Sequence, residues 1–312
     1  MKGYIARRLA ILPIVLLGVV LISFLIVHLT PGDPARLVAG ENATEDMVAA
    51  VRTRLGLDDP LIVQFWVYLR GVVSGDLGGS LMTSQPVAEA VAQAFPQTAK
   101  LVVIALVVSS LGGIILGAVA ALRAGGLLDK LVMVLAMAGM SVPGFVFGLI
   151  FVVLFSVKLG WFPAFGAGDG LFDGGWRYMI LPALALGLGP LGSVARMTRS
   201  TVLEVLPEDY VRTARAKGVS STRVLFKHVG KNASIPILTL LGLDVGYYLG
   251  GAVAIEVAFG WPGMGRLSVQ AILNKDFPTV QGVIMVFALG YTLINLIVDL
   301  LYAALDPRVR LG

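Results

Sequence analysis

The sequence predicts an all-α integral membrane protein with six transmembrane helices and an external insertion between spans one and two. Three observations carry that prediction. Hydrophobic residues make up 57% of the chain and charged residues only 14%, with a mean hydropathy of +0.88, whereas soluble domains hold about 25% charged residues. Apolar runs of membrane length recur, among them the uncharged stretches 9–29, 101–122 and 131–157. Lysine and arginine collect in alternate connections between these runs, as expected where basic loops resist translocation.

Span one is 9–29. Lys2, Arg7 and Arg8 precede it, and its 21 residues reach about 30 Å as a helix. That length exceeds a signal-peptide core, so the reading is an uncleaved first span with its N-terminus inside. The segment 31–100 then leaves the membrane. Thr30-Pro-Gly-Asp-Pro34 breaks the helix. Thr44 caps a short helix stopped by Gly56, and a second begins at Asp59-Pro60 with Trp66 and Tyr68 on it. Gly75-Asp-Leu-Gly-Gly-Ser80 separates it from a third near Pro86 to Phe95. This segment carries five basic residues against eight acids, which places it outside.

Span two is 101–122, and 123–130 is an inside turn. The long run 131–157 is interrupted by Ser141-Val-Pro-Gly144, which predicts a kink because Pro143 leaves a carbonyl without its donor. Trp161 and Trp176 sit at the ends of the next outside loop, where amphipathic rings prefer the interface. Span four, 178–195, is marked by Pro182 and Pro190 and is expected to continue past Arg196. Span five runs from Pro236 to about Ile255. The outside stretch 256–278 contains Phe259-Gly-Trp-Pro-Gly-Met-Gly-Arg266. Span six runs from Thr279 to about Leu305 and closes inside on Asp306-Pro-Arg-Val-Arg310. With this topology 15 of the 24 Lys/Arg lie inside, so both termini are expected in the cytoplasm.

The longest polar run between two spans is 196–236. It holds eight Lys/Arg against Glu204, Glu208 and Asp209. Pro207 can open a short helix with Asp209 in its first turn, and Gly218 tolerates the left-handed φ that ends one. Ser220 or Ser221 can cap a second helix to about Asn232. Thr213, Ala214 and Ala216 keep the surface of the first low enough for another protein to approach closely.

The run Tyr210-Val-Arg-Thr-Ala-Arg-Ala-Lys-Gly218, followed by Asn232-Ala-Ser-Ile-Pro236, resembles the ATPase-docking loop of ABC importer permeases. Arg212, Thr213 and Ala214 stand where the general motif has Glu-Ala-Ala, and Pro236 falls 18 residues after Gly218, a longer spacing than the general pattern. That form is typical of the dipeptide/oligopeptide/nickel branch. The N-terminal Arg-Arg-Leu with Pro13, the Pro-Gly-Asp-Pro turn, the Gly-Asp-Leu-Gly…Ser…Pro86-Val87 pattern and the Trp261–Arg266 stretch resemble the same branch.

The resemblance covers the whole chain and implies the type I ABC importer transmembrane-domain fold. It divides into residues 1–30, an external insertion 31–100 and a core 101–312 with its docking loop. It also implies a permease subunit that moves di- or oligopeptides or related small substrates across the cytoplasmic membrane. The implied partners are a second similar permease, two cytoplasmic ABC ATPases and an extracytoplasmic binding protein. ATP and magnesium would be bound by the ATPases and no cofactor by this chain. Docking would fall on Tyr210, Arg212, Thr213, Ala214, Arg215, Lys217 and Gly218. The binding protein would meet Asp76, Trp261 and Arg266.

Residue chemistry is consistent with a chain that performs no catalysis. No Gly-x4-Gly-Lys-Ser/Thr is present, Gly230-Lys231-Asn232 being the nearest fragment. Only His28 and His228 occur, and there is no cysteine, which removes His-Glu-x-x-His sites, thiol catalysis and disulfides. The net charge of +5 is distributed by side of the membrane and indicates no nucleic-acid partner. An ionisable group inside a span is costly, and Asp244 lies eight residues beyond Pro236, about 12 Å into span five. It is either a countercharge for a substrate amino group or half of a structural pair. Tyr247 follows one turn later, and Asp244, Tyr247 and Glu256 are expected on the translocation pathway. Glu256, at the outer end, reads as a gate or as a receptor contact. Asp299 and Tyr302 read as structural. Gly242, Gly246 and Gly250 form a ladder suited to a helix seam, whereas Gly113/Gly117 alone says little. The rival reading is a secondary transporter or channel subunit without an ATPase, for which an inverted repeat is expected; no such symmetry is visible.

Overall fold

The computed structural model describes residues 2–29, 33–39, 43–168 and 174–305, and its regular structure is helical, with one isolated bridge between Gly79 and Pro86. Five helices are long and apolar enough to cross a membrane, and a sixth span results when one bent pair is counted together. The chain clusters into two compact units: 2–97 with 263–292, and 98–262 with the chain from 293.

In the first unit, α1 (Lys2–Leu29) is followed by α2 (Pro34–Ala39), α3 (Glu45–Arg54) and α4 (Leu61–Ser74). Thr44 caps α3 by accepting from the Met47 amide at 3.4 Å, and Gly56, at φ +66°, ends the following turn. Pro60 precedes α4 and Gly75, at φ +79°, closes it, a left-handed cap that only glycine takes without strain. The unit is tied together at Asp276, which is buried. Its carboxylate accepts from the Ser80 hydroxyl at 2.6 Å, the Leu81 amide at 3.0 Å and the Thr279 hydroxyl at 2.7 Å. Ser80 and Pro86-Val87 in the glycine-rich stretch thus have structural partners: Val87 packs with Met264 and Val283 in a small apolar core.

The third external helix and span two are one element, α5 (Val87–Leu122), 36 residues long with Pro96 inside it. Pro96 removes one helical hydrogen bond. The helix continues because Val91 and Ala94 before it and Leu101 and Val102 after it are all buried.

The second unit is built on α8 (Trp176–Val205), whose span is 67% buried against 17–28% for the other four single-helix spans. It extends ten residues beyond the 178–195 span, well past Arg196. Around it pack α6 (Leu127–Ser141), α7 (Gly144–Phe151) and α11 (Gly230–Phe259). Small residues permit that approach, and the approach of the end of α5 to α8. A Cβ at Gly117 would lie 2.3 Å from the Ala195 carbonyl oxygen, and one at Gly192 would lie 2.4 Å from that of Ala136. The Gly113/Gly117 pair therefore lies at a real helix contact.

The expected kink in span three is a full break. α6 and the α7 segment that ends in a π-helical turn (Val152–Lys158) diverge by 106°. Val142 is extended, at φ −108° and ψ 131°, as proline imposes on the residue before it. After α9 (Asp209–Ala216) comes α10 (Ser221–Arg223), then a π-helical segment (Val224–Val229), then α11. The run Ser221–Phe259 is 39 residues without a break, so the loop's second helix and span five are one helix. α12 (Met264–Leu273) and α13 (Phe277–Leu305) complete the chain. Thr30, the C-terminal stretch from Asp306 and the side chains of Asp299 and Tyr302 lie outside the described residues.

Candidate functional site: the basic loop and the carboxylate of span five

The loop proper is short, because α8 supplies 196–205 and the last long helix begins at Ser221. α9 opens after Glu208, whose backbone is extended, and holds Asp209 in its first turn, where a carboxylate meets the positive end of the helix dipole. Gly218 has φ +79° and a Cβ there would meet nothing within 4 Å. Its backbone conformation, and no lack of space, excludes other residues. Ser220 stands at the next N-cap but its side chain makes no capping hydrogen bond.

α9 has two faces. Val211 and Ala214 are buried, packed in one core with Ala121, Val194, Val202, Val224 and Val229. Ala214 therefore faces the protein's own interior, which corrects its assignment to a docking surface. The surface offered outward is Tyr210, Arg212, Thr213, Arg215, Lys217 and Gly218, all exposed. Tyr210 is fixed by Asn232, whose side-chain amide donates to the tyrosine oxygen at 2.6 Å, and Arg212 lies 3.2 Å from Asp209. Asn232 thus braces α9 against the long helix.

One partly buried ion pair escaped the sequence reading. Asp129, in the first turn of α6, is 4% exposed and receives two hydrogen bonds from the Arg199 guanidinium, one of 2.8 Å, and one from the Gly125 amide at 2.9 Å. The pair joins the 123–126 turn to the part of α8 that leads into the loop. The only sequence signal was an acid in a basic turn.

In the span-five part of α11, Asp244 is half-buried and its Oδ2 is buried with no hydrogen-bond partner among the described residues. Tyr247, 43% exposed, places its hydroxyl between α8 and α7: a Cβ at Gly189 of α8 would lie 2.9 Å from it and one at Gly144 of α7 3.7 Å. The neighbouring Tyr248 is buried, its hydroxyl bonded to Ser109. Asp244 and Tyr247 are thus brought to one turn with polar atoms to spare. Of the glycine ladder, Gly242 closes on Val298 and Gly250 meets nothing within 4 Å.

Two outer-end assignments are corrected. Glu256 is fully buried and accepts from the Thr98 hydroxyl at 2.6 Å, so it offers no surface to a receptor or to the pathway. Trp261 is also fully buried, its amide donating to the Glu256 carbonyl at 2.9 Å; it is a core residue and no external contact. Asp76 is exposed, accepting from the Gly78 amide at 2.9 Å, and Arg266 is half-buried. Among the described residues no group of three or more His, Cys, Asp or Glu is placed to hold a metal ion.

Residues 113–311 match the family described as "Binding-protein-dependent transport system inner membrane component", and residues 1–102 match its N-terminal counterpart. The chain belongs to this family. It is 45% identical over 310 residues to the glutathione transport system permease protein GsiC of Salmonella paratyphi A (strain ATCC 9150 / SARB42), covering 99% of both chains. The same protein of Escherichia coli (strain K12) is 44% identical over the same length. Among solved structures, an inward-facing form of the MetNI methionine ABC transporter superposes with a TM-score of 0.57 at 16% identity. That match covers 69% of this chain and 96% of the other, and it shows the transmembrane fold. As a member of the family the chain is a multi-pass inner-membrane permease subunit of an ABC importer. It works with an ATPase and a binding protein.

Proposed function

We propose that this permease imports glutathione or short peptides of similar chemistry, pairing with a second, similar permease and with two cytoplasmic ATPases that bind ATP and magnesium. The carrying observation is the 45% identity across 99% of both chains to a glutathione permease. The exposed face of α9, from Tyr210 to Gly218, receives an ATPase, so that closure of the ATPases pushes α9 and the helices it packs on. Asp244 and Tyr247 line the pathway, where the half-buried Asp244 carboxylate accepts from a substrate amino group. Segment 31–100, including Asp76, together with Arg266 faces the external binding protein. Both termini lie in the cytoplasm.

The test is uptake by the complete transporter with its cognate binding protein, in vesicles loaded with ATP. Labelled glutathione and dipeptides are the substrates. Uptake that saturates with glutathione and stops when ATP is omitted is the expected result. Accumulation driven by an ion gradient without ATP overturns the reading.

A further inference from the structure

The helix α4 lies in the segment read from sequence as external, yet it runs down the side of span one. His28 Nε2 lies 3.0 Å from Gln64 Oε1, and Ser23 Oγ lies 3.0 Å from the Tyr68 hydroxyl. Phe24 packs on Phe65 and Tyr68, with ring centroids 5.5 and 6.1 Å apart. Further along, Leu69 and Val72 share an apolar cavity of about 640 Å³ with Leu17 and Val20 of α1 and Leu289 of α13. As the α4 numbers rise the α1 numbers fall, so the two helices are antiparallel and keep one register. That register carries Gly75, also on the cavity wall, to the level of Leu17. Leu17 is twelve residues before Leu29, where span one ends, and Leu289 is twelve beyond Phe277, where α13 begins. Each interval is about 18 Å of helix, past the middle of a hydrocarbon core roughly 30 Å thick.

The chain then climbs back along α13. A Cβ at Gly282 would lie 3.4 Å from Leu77 Cδ1, one at Gly78 would lie 3.9 Å from the Pro278 Cβ, and Ser80 bonds Asp276. Entry beside His28 and exit beside Asp276 are thus at the same end of the spans, with the tip at Gly75, whose φ of +79° makes the turn. What α4 shows outward is apolar. Trp66 is 61% exposed, Ile62 62%, Val67 67% and Val73 82%, and Arg70 is the one charged residue of the helix. In water such a stripe is a patch that proteins cover. Beside a span it continues the exposed apolar surface that α1 shows at Leu21, Ile22 and Leu25. Trp66, two residues below Gln64, stands where amphipathic rings prefer the interface. Arg70 is about 9 Å below Gln64. Helical side chains lean toward the N-terminus, here the outer end, so its long stem brings the charge to the headgroups.

We propose that residues 61–80 form a re-entrant hairpin, with the Ile62, Trp66 and Val73 face of α4 against acyl chains of the outer leaflet. Its depth rests on the register with α1 and α13; only the side of entry rests on the topology proposed above. Asp76 begins the climb and is exposed, so the return stretch faces water, where irregular backbone is tolerated at membrane depth. The hairpin withdraws α4 from the surface open to an external binding protein and leaves α3 and the return stretch with Asp76.

The experiment places single cysteines in the assembled transporter in vesicles and attaches a nitroxide to each. Met47→Cys on the exposed face of α3, Ile62→Cys, Val73→Cys and Asp76→Cys are compared for collision with oxygen, which concentrates among acyl chains, and with a water-soluble nickel complex. The ratio of oxygen to nickel collision is expected to rise severalfold from Ile62 to Val73, while Met47 and Asp76 favour nickel. Nickel reaching Val73 as freely as Met47 overturns the proposal and returns α4 to the external segment. Exclusion of both probes from Val73 also overturns it, because a protein partner then covers the face. A second measurement needs no label: lipids brominated in the acyl chain are expected to quench Trp66, read as the difference between the unmodified transporter and Trp66→Phe. No difference there is a further contrary result. Inverted maleimide labelling of the chain would change the leaflet entered and leave the collision ratios as they are.

Discussion

Asp244 and Asp129 are both carboxylates in helices of the second unit, and their surroundings separate them. Asp129 has its charge answered twice by Arg199 and once by the Gly125 amide. Asp244 keeps one buried oxygen with no partner among the described residues. A buried acceptor left unpaired is costly, and on the proposed reading the half-buried Asp244 carboxylate meets a substrate amino group. Asp244→Asn is therefore expected to lower uptake of substrates bearing an amino group by about tenfold, the worth of one charge-assisted hydrogen bond, while the subunits still copurify. Failure of the variant to assemble would assign Asp244 to structure. Asp129→Asn and Arg199→Gln are each expected to lower the melting temperature of the purified complex, Arg199→Gln the more, because it strands the buried carboxylate while Arg199 itself is partly exposed. The double variant should lose less than the two single losses added together. Strict additivity would show that the two groups do not act as a pair.

At the scale of one element, α9 carries the coupling argument. Its inward face is committed to Val211 and Ala214, its outward face to Tyr210, Arg212, Thr213, Arg215 and Lys217. Gly218→Val puts a β-branched residue at φ +79°, a conformation such residues avoid. Stimulation of ATP hydrolysis by loaded binding protein should then disappear while basal hydrolysis and membrane insertion persist. Thr213→Trp, on the exposed face, should do the same by blocking the contact. Ala214→Trp acts differently: it overpacks the protein's own core, at a cost of about 1–3 kcal/mol, and should displace α9 and lower thermal stability as well. Normal stimulated hydrolysis in Gly218→Val would show that α9 is not the coupling element. Lys227→Ala, on the helix that follows, is expected to leave stimulation near its starting level.

For the whole molecule the decisive property is which side each connection faces. Glu45 is exposed on α3, and Asp58 lies in the turn before α4. The chain has no cysteine, so Glu45→Cys, Asp58→Cys and Lys217→Cys each introduce a single thiol. In intact spheroplasts an impermeant maleimide is expected to label the first two at once and the third only after lysis. Labelling of Lys217→Cys in intact spheroplasts would invert the topology and remove the docking assignment with it. Apolar residues left exposed on the spans, such as Ile14 on α1, Leu135 on α6 and Leu243 on α11, are explained by lipid and by partner subunits, and they account for the isolated chain's poor burial outside α8.

Span number, the cap at Thr44, the stop at Gly218 and the place of the bend at Pro143, though not its size, were legible in the sequence, because hydropathy, capping and proline act over a few residues and need no knowledge of the rest of the chain. Membership of the importer family was legible for the same reason, in short runs such as Tyr210–Gly218. Only the tertiary structure decided which way a side chain faces. Ala214 and Trp261 read as contact residues from their motifs, and both are buried because helices distant in sequence pack over them. Glu256 found Thr98, Asp129 found Arg199, and Ser80 found Asp276, across separations of 158, 70 and 196 residues. Nothing local encodes such pairings; they arise when packed helices bring a polar group to another that satisfies it. Asp244 is the converse case, a carboxylate whose place within a span was visible from spacing and whose unpaired oxygen emerged only from the packing around it.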